Sequence, residues 1–374
     1  MQSRAASILC YPMHGQRKLL SEGYRTRDGH FIEWFGDLLP KDEGVAVLSR
    51  PEPRVVHPRS VARSGAANTL DFPSRTWRIP RLMDRRHWWV RSAGLYRATD
   101  EFPAGAPAVV WNPFVATAPI KSNPFLQQRD VVLDLLDDWT VHFAFDTIKD
   151  EVDDAYRKAF ANATHITANA EGTAALARRY GRDDVILLPN GCDPDRFSSS
   201  SKAQGRTTVG YVGKIGERVD LELVIDTAKA LPDVRFVFAG PVLDAHYSPA
   251  LASISNIELL GDVHYDDVPA LLQSFDVGWV PHRVGRGEVG GDVIKTYEYR
   301  AAGLPALSTP IVGAGERGLS GVVTLDRSRH AAWIADRVLL GPRIPREEAP
   351  IPPEATWRNK ATRILRLLGL EHQD

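Results

Sequence analysis

Short apolar runs alternate with helical repeats along the chain, and this alternation predicts parallel strands joined by crossover helices. In the first half, strands are predicted at residues 6–11, 44–48, 108–112, 131–136, 165–168 and 185–188. Helices are predicted there at 30–39, 81–97, 146–161 and 170–180. The first half is therefore expected to form one doubly wound unit.

A second alternating series begins at Thr208, after a polar segment, 198–204, that we interpret as an interdomain linker. Its strands are predicted at 209–212, 234–239, 257–260, 277–280, 305–308 and 322–325, and its helices at 221–231, 266–275, 293–302 and 329–340. A final amphipathic helix is predicted from residue 354. The pattern indicates an α/β protein with two Rossmann-like, doubly wound domains facing across a cleft, in which ligands bind beyond the carboxyl ends of the strands.

Composition places the chain among ordinary globular proteins, with 43% hydrophobic and 25% charged residues and a formal net charge of −1. These values exclude collagen, disordered acidic tails and disulfide-stabilised miniproteins. Cys10 and Cys192 fit neither a C-x-x-C pair nor a zinc cluster, which favours a reducing cytosol. The first apolar run is too short for a signal peptide, and no window approaches the roughly 20 apolar residues of a membrane span. We therefore expect a soluble, cytoplasmic protein.

Positive charge is concentrated in residues 50–97, the arginine-rich segment, which holds eleven arginines, no lysine and three acidic residues. Trp77, Trp88, Trp89 and Tyr96 are interleaved in its second half. Guanidinium groups bind phosphate, and indole rings are suited to the interface between water and an apolar phase. The segment therefore suits anionic headgroups or phosphorylated ligands. A solvated helix face with core aromatics is the alternative. Nucleic acid is not expected as a partner, because the rest of the chain is too acidic.

Two glycine-bearing turns carry candidate anion-binding cations. In the first, an apolar strand leads to Gly213, Lys214 and Arg218, and a helix follows. Glycine lets N–H groups approach an anion and a helix N-terminus adds partial positive charge, so the two cations can hold a diphosphate. An ordinary strand-to-helix turn is the alternative.

The second turn contains Gly290 and Gly291 and precedes a predicted helix with Lys295 and Glu298. The i, i+3 spacing places these two side chains on one face near the helix start. Lys295 can contact a phosphate there, while Glu298 can accept hydrogen bonds from sugar or ribose hydroxyls. A surface ion pair is the alternative.

Five short motifs follow one another between residues 188 and 305. They are LPNGCD at 188–193, the turn at 210–220, NIELLGDV at 256–263, FDVGWVP at 275–281 and KTYEYRAAGLP at 295–305. Their order is the one expected of nucleotide-sugar-dependent glycosyltransferases. The chain resembles bacterial family-4-like glycosyltransferases of GT-B fold, similar to those that build teichuronic acid, capsule and exopolysaccharide. The resemblance is close over about 185–309 and weaker before it.

This resemblance implies an acceptor-binding domain at 1–200 and a nucleotide-sugar-binding domain at 205–345, with the last helix, 354–374, returning to the first domain. It implies that Lys214, Arg218 and Lys295 lie at the diphosphate, Glu298 at the ribose, and Gly261 and Val263 at the base. The complete set of implied donor residues is Gly213, Lys214, Arg218, Gly261, Val263, His282, Gly290, Gly291, Lys295 and Glu298. Gly290 stands where many retaining relatives carry a second glutamate, which leaves the stereochemistry and the donor sugar open.

Transfer also needs a base, and the strand at 131–136 delivers Asp137, Asp138 and His142 at its carboxyl end. Adjacent carboxylates raise one another's proton affinity, which suits general-base catalysis worth roughly 10²–10⁴ in rate. Related inverting transferases have an aspartate at the corresponding strand end, which favours Asp138, with His142 as the alternative. The structural alternatives are that the aspartate caps a helix N-terminus and that the histidine is an ordinary surface residue. Asp193-Pro-Asp195 resembles a metal-binding D-x-D but is interpreted as a turn, so neither metal nor cofactor is expected.

Gly29 and His30, at a predicted helix start, are candidates for positioning the acceptor or the donor, with turn formation as the simpler explanation. Taken together, the sequence predicts a metal-independent glycosyltransferase. It would move a hexose from a nucleotide diphosphate sugar, UDP-linked by preference, to a saccharide, lipid-linked or secondary-metabolite acceptor. The arginine-rich segment favours an acceptor at the inner face of the plasma membrane. A nucleotide-sugar epimerase of the same fold and a non-catalytic carbohydrate-binding relative are the alternatives.

Overall fold

The computed structural model describes residues 5–54, 65–80, 86–285, 291–311, 321–347 and 350–370. The chain divides into two compact units. The N-terminal unit comprises Met1–Pro189, Val289–Gly291 and Trp357–Asp374, and the C-terminal unit comprises Asn190–Glu288 and Asp292–Thr356. Each unit contains a parallel sheet with its own apolar core.

A seven-stranded parallel sheet forms the centre of the N-terminal unit. Its strands, and those of a separate pair, are β1 (Ala5–Tyr11), β2 (Glu43–Val47), β3 (Glu52–Pro53), β4 (Thr69–Asp71), β5 (Arg75–Thr76), β6 (Ala108–Val110), β7 (Val131–Leu135), β8 (His165–Ala168) and β9 (Ile186–Leu187). The order in the sheet is β4-β2-β1-β6-β7-β8-β9, while β3 and β5 pair with each other. β6 and β7 are buried along their whole length, as expected of strands covered on both faces.

Helices cover this sheet, and short 3-10 turns connect several elements. The α-helices are α1 (Gln16–Glu22), α2 (Arg27–Leu38), α3 (His87–Ala93), α4 (Lys149–Asn162) and α5 (Glu171–Arg179). The 3-10 turns are Thr99–Glu101, Pro113–Thr117, Ile120–Ser122, Pro124–Leu126 and Phe143–Ile148. Large aromatic side chains such as Trp89, Trp139 and Tyr156 join the aliphatic strand residues in one core.

The C-terminal unit has a six-stranded parallel sheet. Its strands are β10 (Thr208–Val212), β11 (Arg235–Ala239), β12 (Ile257–Gly261), β13 (Val277–Val280), β14 (Ala306–Ser308) and β15 (Val322–Thr324). Its helices are α6 (Leu221–Ala230), α7 (Tyr247–Ala252), α8 (Val268–Gln273), α9 (Ile294–Ala301) and α10 (His330–Val338). The strand order is β12-β11-β10-β13-β14-β15, so successive connections run to one side of β10 and then to the other.

The last helix, α11 (Trp357–Leu367), packs on α2 within the N-terminal unit. The Trp357 ring stacks on His30 with centroids 4.7 Å apart and meets Phe31 edge-on at 5.6 Å. Trp357, Ala361 and Ile364 are fully buried. The N-terminal unit is therefore completed by residues that follow the whole C-terminal unit in the sequence.

In the arginine-rich segment, the structure buries two tryptophans that were predicted to lie at the surface. Trp88 and Trp89 lie on α3 and are buried, with Trp88 Nε1 donating to the Pro51 carbonyl at 3.1 Å. Their apolar rings fill the core, so the idea that they face a membrane is corrected by the structure. Residues 55–64 and 81–85 lie outside the described part of the chain. In the ranges that the structure does describe, no helix is long and apolar enough to cross a membrane.

Candidate functional site

The candidate site lies at the carboxyl edge of the C-terminal sheet, where the strand order changes direction beside β10. In doubly wound sheets such a point leaves a crevice beyond the strand ends, and ligands bind there. β10 ends at Val212 and continues into the turn with Gly213 and Arg218 that precedes α6. The neighbouring β13 ends at Val280 and continues to His282. Two of the predicted segments therefore leave the sheet at the same edge.

Glycine at position 213 allows the Lys295 side chain to cross the turn that follows β10. Gly213 has a φ of +145°, and its N–H donates to the Ala239 carbonyl at 2.8 Å. A Cβ at this position would lie 3.0 Å from Lys295 Cε and 3.2 Å from Lys295 Nζ. Both the backbone conformation and the available space therefore favour glycine.

The Lys295 ammonium lies beside an aromatic ring and a second cation. Its Nζ is 4.9 Å from the centre of the Tyr211 ring, a cation–π distance. Burial and the Arg218 guanidinium lower the pKa of Lys295 to about 8, while Glu298 opposes this shift. An anion bound near Lys295 and Arg218 would stabilise the charged ammonium. The arrangement therefore suits a ligand that carries phosphate charge.

Glu298 lies one helical turn beyond Lys295 on α9 and is only 5% exposed. Burial raises the pKa of Glu298 to about 7, while Tyr265 and Lys295 oppose this rise. Its carboxyl group therefore titrates near neutrality, which is typical of functional sites. In the ionised form it can accept hydrogen bonds from two hydroxyl groups.

His282 adds a buried imidazole to this cluster. Its backbone forms an antiparallel bridge with Val219, and its carbonyl accepts from Thr309 Oγ1 at 2.7 Å. His282 Nε2 lies 3.3 Å from the Tyr211 hydroxyl. Burial, Lys295 and Arg218 all lower the pKa of His282 well below its usual value, so the ring is neutral at pH 7. A neutral ring stands near the two cations without adding to their repulsion.

Gly261 is the last residue of β12, the edge strand on the β11 side of the sheet, and Val263 follows this strand. Gly261 has a φ of +76°, and its carbonyl accepts from the Gly240 N–H at 2.7 Å. The Gly240 backbone in turn packs on the Gly213 carbonyl. Three glycine-bearing strand ends therefore lie side by side at this edge. Lys214, in the turn after β10, is exposed.

The predicted glycine pair at 290 and 291 is only partly described. Gly290 lies outside the described residues, while Gly291 packs against the end of β7 in the N-terminal unit. A Cβ at Gly291 would clash with Asp137 Oδ1 and would lie 2.7 Å from the Leu136 carbonyl oxygen. Steric exclusion of a side chain thus explains the glycine at position 291.

Asp138 is tightly engaged by its neighbours. Its Oδ1 accepts from the Thr140 N–H at 2.9 Å and from the Thr140 hydroxyl at 2.5 Å, and its Oδ2 pairs with Arg179 Nη2 at 2.5 Å. These contacts stabilise the turn after β7 and occupy the carboxylate oxygens that would accept a proton. These contacts give Asp138 a structural role, and its predicted role as a base stays a prediction.

His142 caps the 3-10 turn Phe143–Ile148, because its Nδ1 accepts from the Ala144 N–H at 3.0 Å. In the neutral ring this contact places the proton on Nε2. The imidazole would have to leave the cap before Nδ1 could accept a proton from an acceptor hydroxyl. His142 is thus positioned as a cap, and its role as a base also stays a prediction.

Gly29 and His30 lie in the first turn of α2 and have packing roles. A Cβ at Gly29 would lie 2.6 Å from the Tyr24 carbonyl oxygen, so only glycine fits without a shift. His30 is fully buried under Trp357. Close packing accounts for both residues, and their predicted contact with the acceptor or donor stays untested.

The C-terminal unit is similar to a known protein family. Residues 206–339 match the family model described as "Glycosyl transferases group 1". TuaH of Bacillus subtilis strain 168, a glycosyltransferase named for teichuronic acid biosynthesis, is 26% identical over 140 residues. That alignment covers 34% of this chain and 35% of TuaH, so it spans about a third of the curated relative's length.

Solved structures resemble the chain over nearly its whole length. Sucrose-phosphate synthase from Thermosynechococcus elongatus has a TM-score of 0.67 at 13% identity, covering 96% of this chain and 97% of that one. HepE of Anabaena, solved with UDP and glucose, has a TM-score of 0.57 at 15% identity, covering 97% and 95%. At these identities the likeness concerns the fold, and it confirms the predicted GT-B architecture of two Rossmann-like sheets.

Proposed function

We propose, from the match of residues 206–339 to the group 1 glycosyl transferase model, that this protein is a nucleotide-sugar-dependent glycosyltransferase of GT-B type. One observation carries the proposal. Lys295, Arg218 and Glu298 converge at the carboxyl edge of β10, where two cations and a buried carboxyl group can bind a diphosphate and its ribose. UDP is the favoured nucleotide, since HepE, which shares the fold, was solved with UDP and glucose.

The proposed chemistry stabilises the leaving group. When the bond between the sugar and the diphosphate breaks, negative charge grows on the diphosphate oxygens. Lys295 and Arg218 are charged donors for those oxygens, and each such hydrogen bond is worth about 1.5–3 kcal/mol. The N-terminus of α6, capped by Asp220 through the Leu223 N–H at 3.1 Å, faces the same turn and adds partial positive charge.

The proposed transfer proceeds without a metal, because protein cations supply the charge that a metal would otherwise provide. The Asp193-Pro-Asp195 triplet supports this reading. Pro194–Arg196 forms a 3-10 turn, and the Asp193 carboxylate pairs with Arg196 Nε at 3.2 Å. For the acceptor we propose a saccharide or a lipid-linked saccharide, since TuaH is named for teichuronic acid biosynthesis. Asp138 is the proposed base, with His142 as the alternative.

A panel of nucleotides and nucleotide sugars tests this function by thermal shift. A ligand that binds the native state raises the melting temperature, and at 100 times its Kd it adds about 2.7 kcal/mol of stability. We expect UDP and a UDP-hexose to raise the melting temperature most, with adenosine diphosphate as the control that shares the diphosphate. Equal shifts with UDP and adenosine diphosphate would show that the site binds the diphosphate without recognising the base. No shift with any nucleotide would refute the proposal.

We also propose that the N-terminal unit contacts anionic membrane through the exposed part of the arginine-rich segment. Trp77 and Ile79 are 73% and 61% exposed, although both are large apolar side chains. Arg75 and Arg78 are exposed beside them, and the Arg54 guanidinium lies 5.2 Å from the centre of the Trp77 ring. Exposed tryptophan flanked by arginine suits the boundary between headgroups and acyl chains.

Vesicle sedimentation with phosphatidylglycerol-containing membranes tests this contact. Replacing Arg75 and Arg78 with glutamine should weaken binding about 30-fold, because each arginine near an anionic surface contributes about 1 kcal/mol. The control carries Leu339→Ser and Leu340→Ser, which changes two exposed leucines of the C-terminal unit, outside the arginine-rich segment. Binding that is the same for wild type and the arginine variant would remove the membrane contact from the proposal.

A further inference from the structure

Asp292 joins the first residue of the C-terminal unit to the helix that carries Lys295 and Glu298. Its Oδ2 accepts from the Asn190 N–H and from the Tyr297 hydroxyl, both at 2.8 Å. The Asn190 side-chain amide donates to the Asp292 carbonyl at 3.0 Å. Asn190 directly follows the point where the chain leaves the N-terminal unit. One aspartate thus holds the crossover segment 190–192 against α9.

The crossover segment is itself fixed from its other side. The Cys192 N–H donates to the Ala355 carbonyl at 3.1 Å, and Cys192 forms a parallel bridge with Thr356. A Cβ at Gly191 would lie 2.5 Å from the Ala355 carbonyl oxygen, so the two backbones are in close contact. The segments that enter and leave the C-terminal unit therefore lie side by side. Through Asn190, the crossover segment is hydrogen-bonded to Asp292 at the start of α9.

The start of α9 depends on Asp292 for its hydrogen bonds. Val293, the N-cap residue, makes no capping side-chain bond. Asp292 Oδ1 instead accepts the Val293 N–H at 2.8 Å. Tyr297, whose hydroxyl reaches back to Asp292, is buried in one apolar cluster with Cys192 and Ala355. The first turn of α9 contains Lys295. Asp292 therefore binds this turn through the Val293 N–H before it and through the Tyr297 hydroxyl after it.

We propose that Asp292 is a positioning residue for the donor diphosphate. This inference rests on the proposed function, because it concerns the Lys295 ammonium as a phosphate ligand. Lys295 reaches the Tyr211 ring and the Gly213 turn only if the first turn of α9 keeps its place. Asp292 makes no contact with the phosphates in this proposal. It determines where Lys295 lies by tying α9 to the crossover segment.

UDP binding measured by calorimetry tests the inference. Asp292→Ala should raise the Kd for UDP about tenfold or more, because several hydrogen bonds at the start of α9 are lost together. Tyr297→Phe removes one of them and should raise the Kd about fivefold. In transfer assays both variants should raise the KM for the nucleotide sugar and leave the KM for the acceptor unchanged.

Asp276→Ala is the matched control in the same unit. Like Asp292, Asp276 is an aspartate whose side chain accepts several hydrogen bonds. Its donors include the Thr208 N–H at 2.8 Å and Arg343 Nη1 at 2.9 Å. It precedes β13 and so lies at the amino edge of the sheet, away from the candidate site. We expect its loss to lower the melting temperature without changing the Kd for UDP.

The outcomes separate the two proposals. If wild-type protein binds no UDP, the proposed function and this inference both fail. If wild type binds UDP and Asp292→Ala and Tyr297→Phe bind it equally well, the function stands and the positioning role is refuted. The same holds if Asp276→Ala weakens UDP binding as much as Asp292→Ala does, because the effect would then be general destabilisation. Tyr297→Phe decides the question should Asp292→Ala fail to fold.

Discussion

Replacing Asp134 with alanine should lower the free energy of unfolding by about 3–5 kcal/mol, because it leaves a buried guanidinium without its partner. Arg27 donates to this carboxylate through Nε at 2.7 Å and through Nη2 at 2.9 Å. Trp111 Nε1 and Thr167 Oγ1 also donate to it, at 2.6 Å and 2.5 Å. Asp134 is 1% exposed and Arg27 3% exposed. The four side chains connect α2 to the ends of the central strands.

Urea denaturation followed by circular dichroism measures this loss. Asp184→Ala is the matched control, since Arg182 also binds Asp184 through two nitrogens, both at 2.8 Å, but on the surface. Exposed pairs contribute about 0–1 kcal/mol, so the control should lose little stability. Thr167→Val, which removes a single donor, should lose about 1.5–3 kcal/mol. Equal losses for Asp134→Ala and Asp184→Ala would show that the buried network does not stabilise the unit.

Replacing Lys295 with alanine should raise the Kd for UDP about 10- to 100-fold. Loss of one charge-assisted hydrogen bond to a phosphate costs about 1.5–3 kcal/mol, and Lys295 lies in the candidate site beside Tyr211 and Arg218. Calorimetry gives the Kd directly. Lys229→Ala, on the last turn of α6, is a control that removes a lysine elsewhere in the same unit. An unchanged Kd in Lys295→Ala would remove this residue from the binding site.

The pH dependence of UDP-glucose binding distinguishes the roles of Lys295 and Glu298. The pKa of Lys295 is about 8 and phosphate favours its charged form, so affinity should fall as the pH rises through 8. The pKa of Glu298 is about 7 and hydroxyl donors favour its ionised form, so affinity should also fall as the pH drops through 7. Lys295→Ala should abolish the alkaline limb and Glu298→Gln the acidic one. A wild-type profile that is flat from pH 6 to 9 would contradict both assignments.

The regular parts of the fold follow closely from the apolar pattern. β8 and β13 have the predicted bounds, because Asn169 directly follows the first strand and Pro281 the second. α1 was not predicted, since Gln16–Glu22 has only two adjacent leucines and lacks a helical repeat. α7 was missed for a similar reason, as its six residues are too few to show periodicity. Short elements are determined by the surrounding packing, which a local pattern does not contain.

The candidate site was predictable where motif and topology agree. Gly213, Lys295 and Glu298 are distant in sequence, yet the strand order brings them to one edge, as the family resemblance indicates. Tyr211 was not predicted, because on the strand it is one apolar residue among others. Its cation–π contact becomes visible only when α9 is in place. The predicted membrane contact of Trp88 and Trp89 in the arginine-rich segment was wrong, because composition does not tell which tryptophans are buried.

The position of α11 has a consequence for how the protein is made. During synthesis on the ribosome, the residues around His30 emerge long before their partner Trp357. In between, the whole C-terminal unit leaves the exit tunnel and can fold on its own core. The nascent N-terminal unit therefore exposes the apolar face of α2 until α11 has been translated. Truncations that remove α11 would destabilise the N-terminal unit, although α11 follows the C-terminal unit in the sequence.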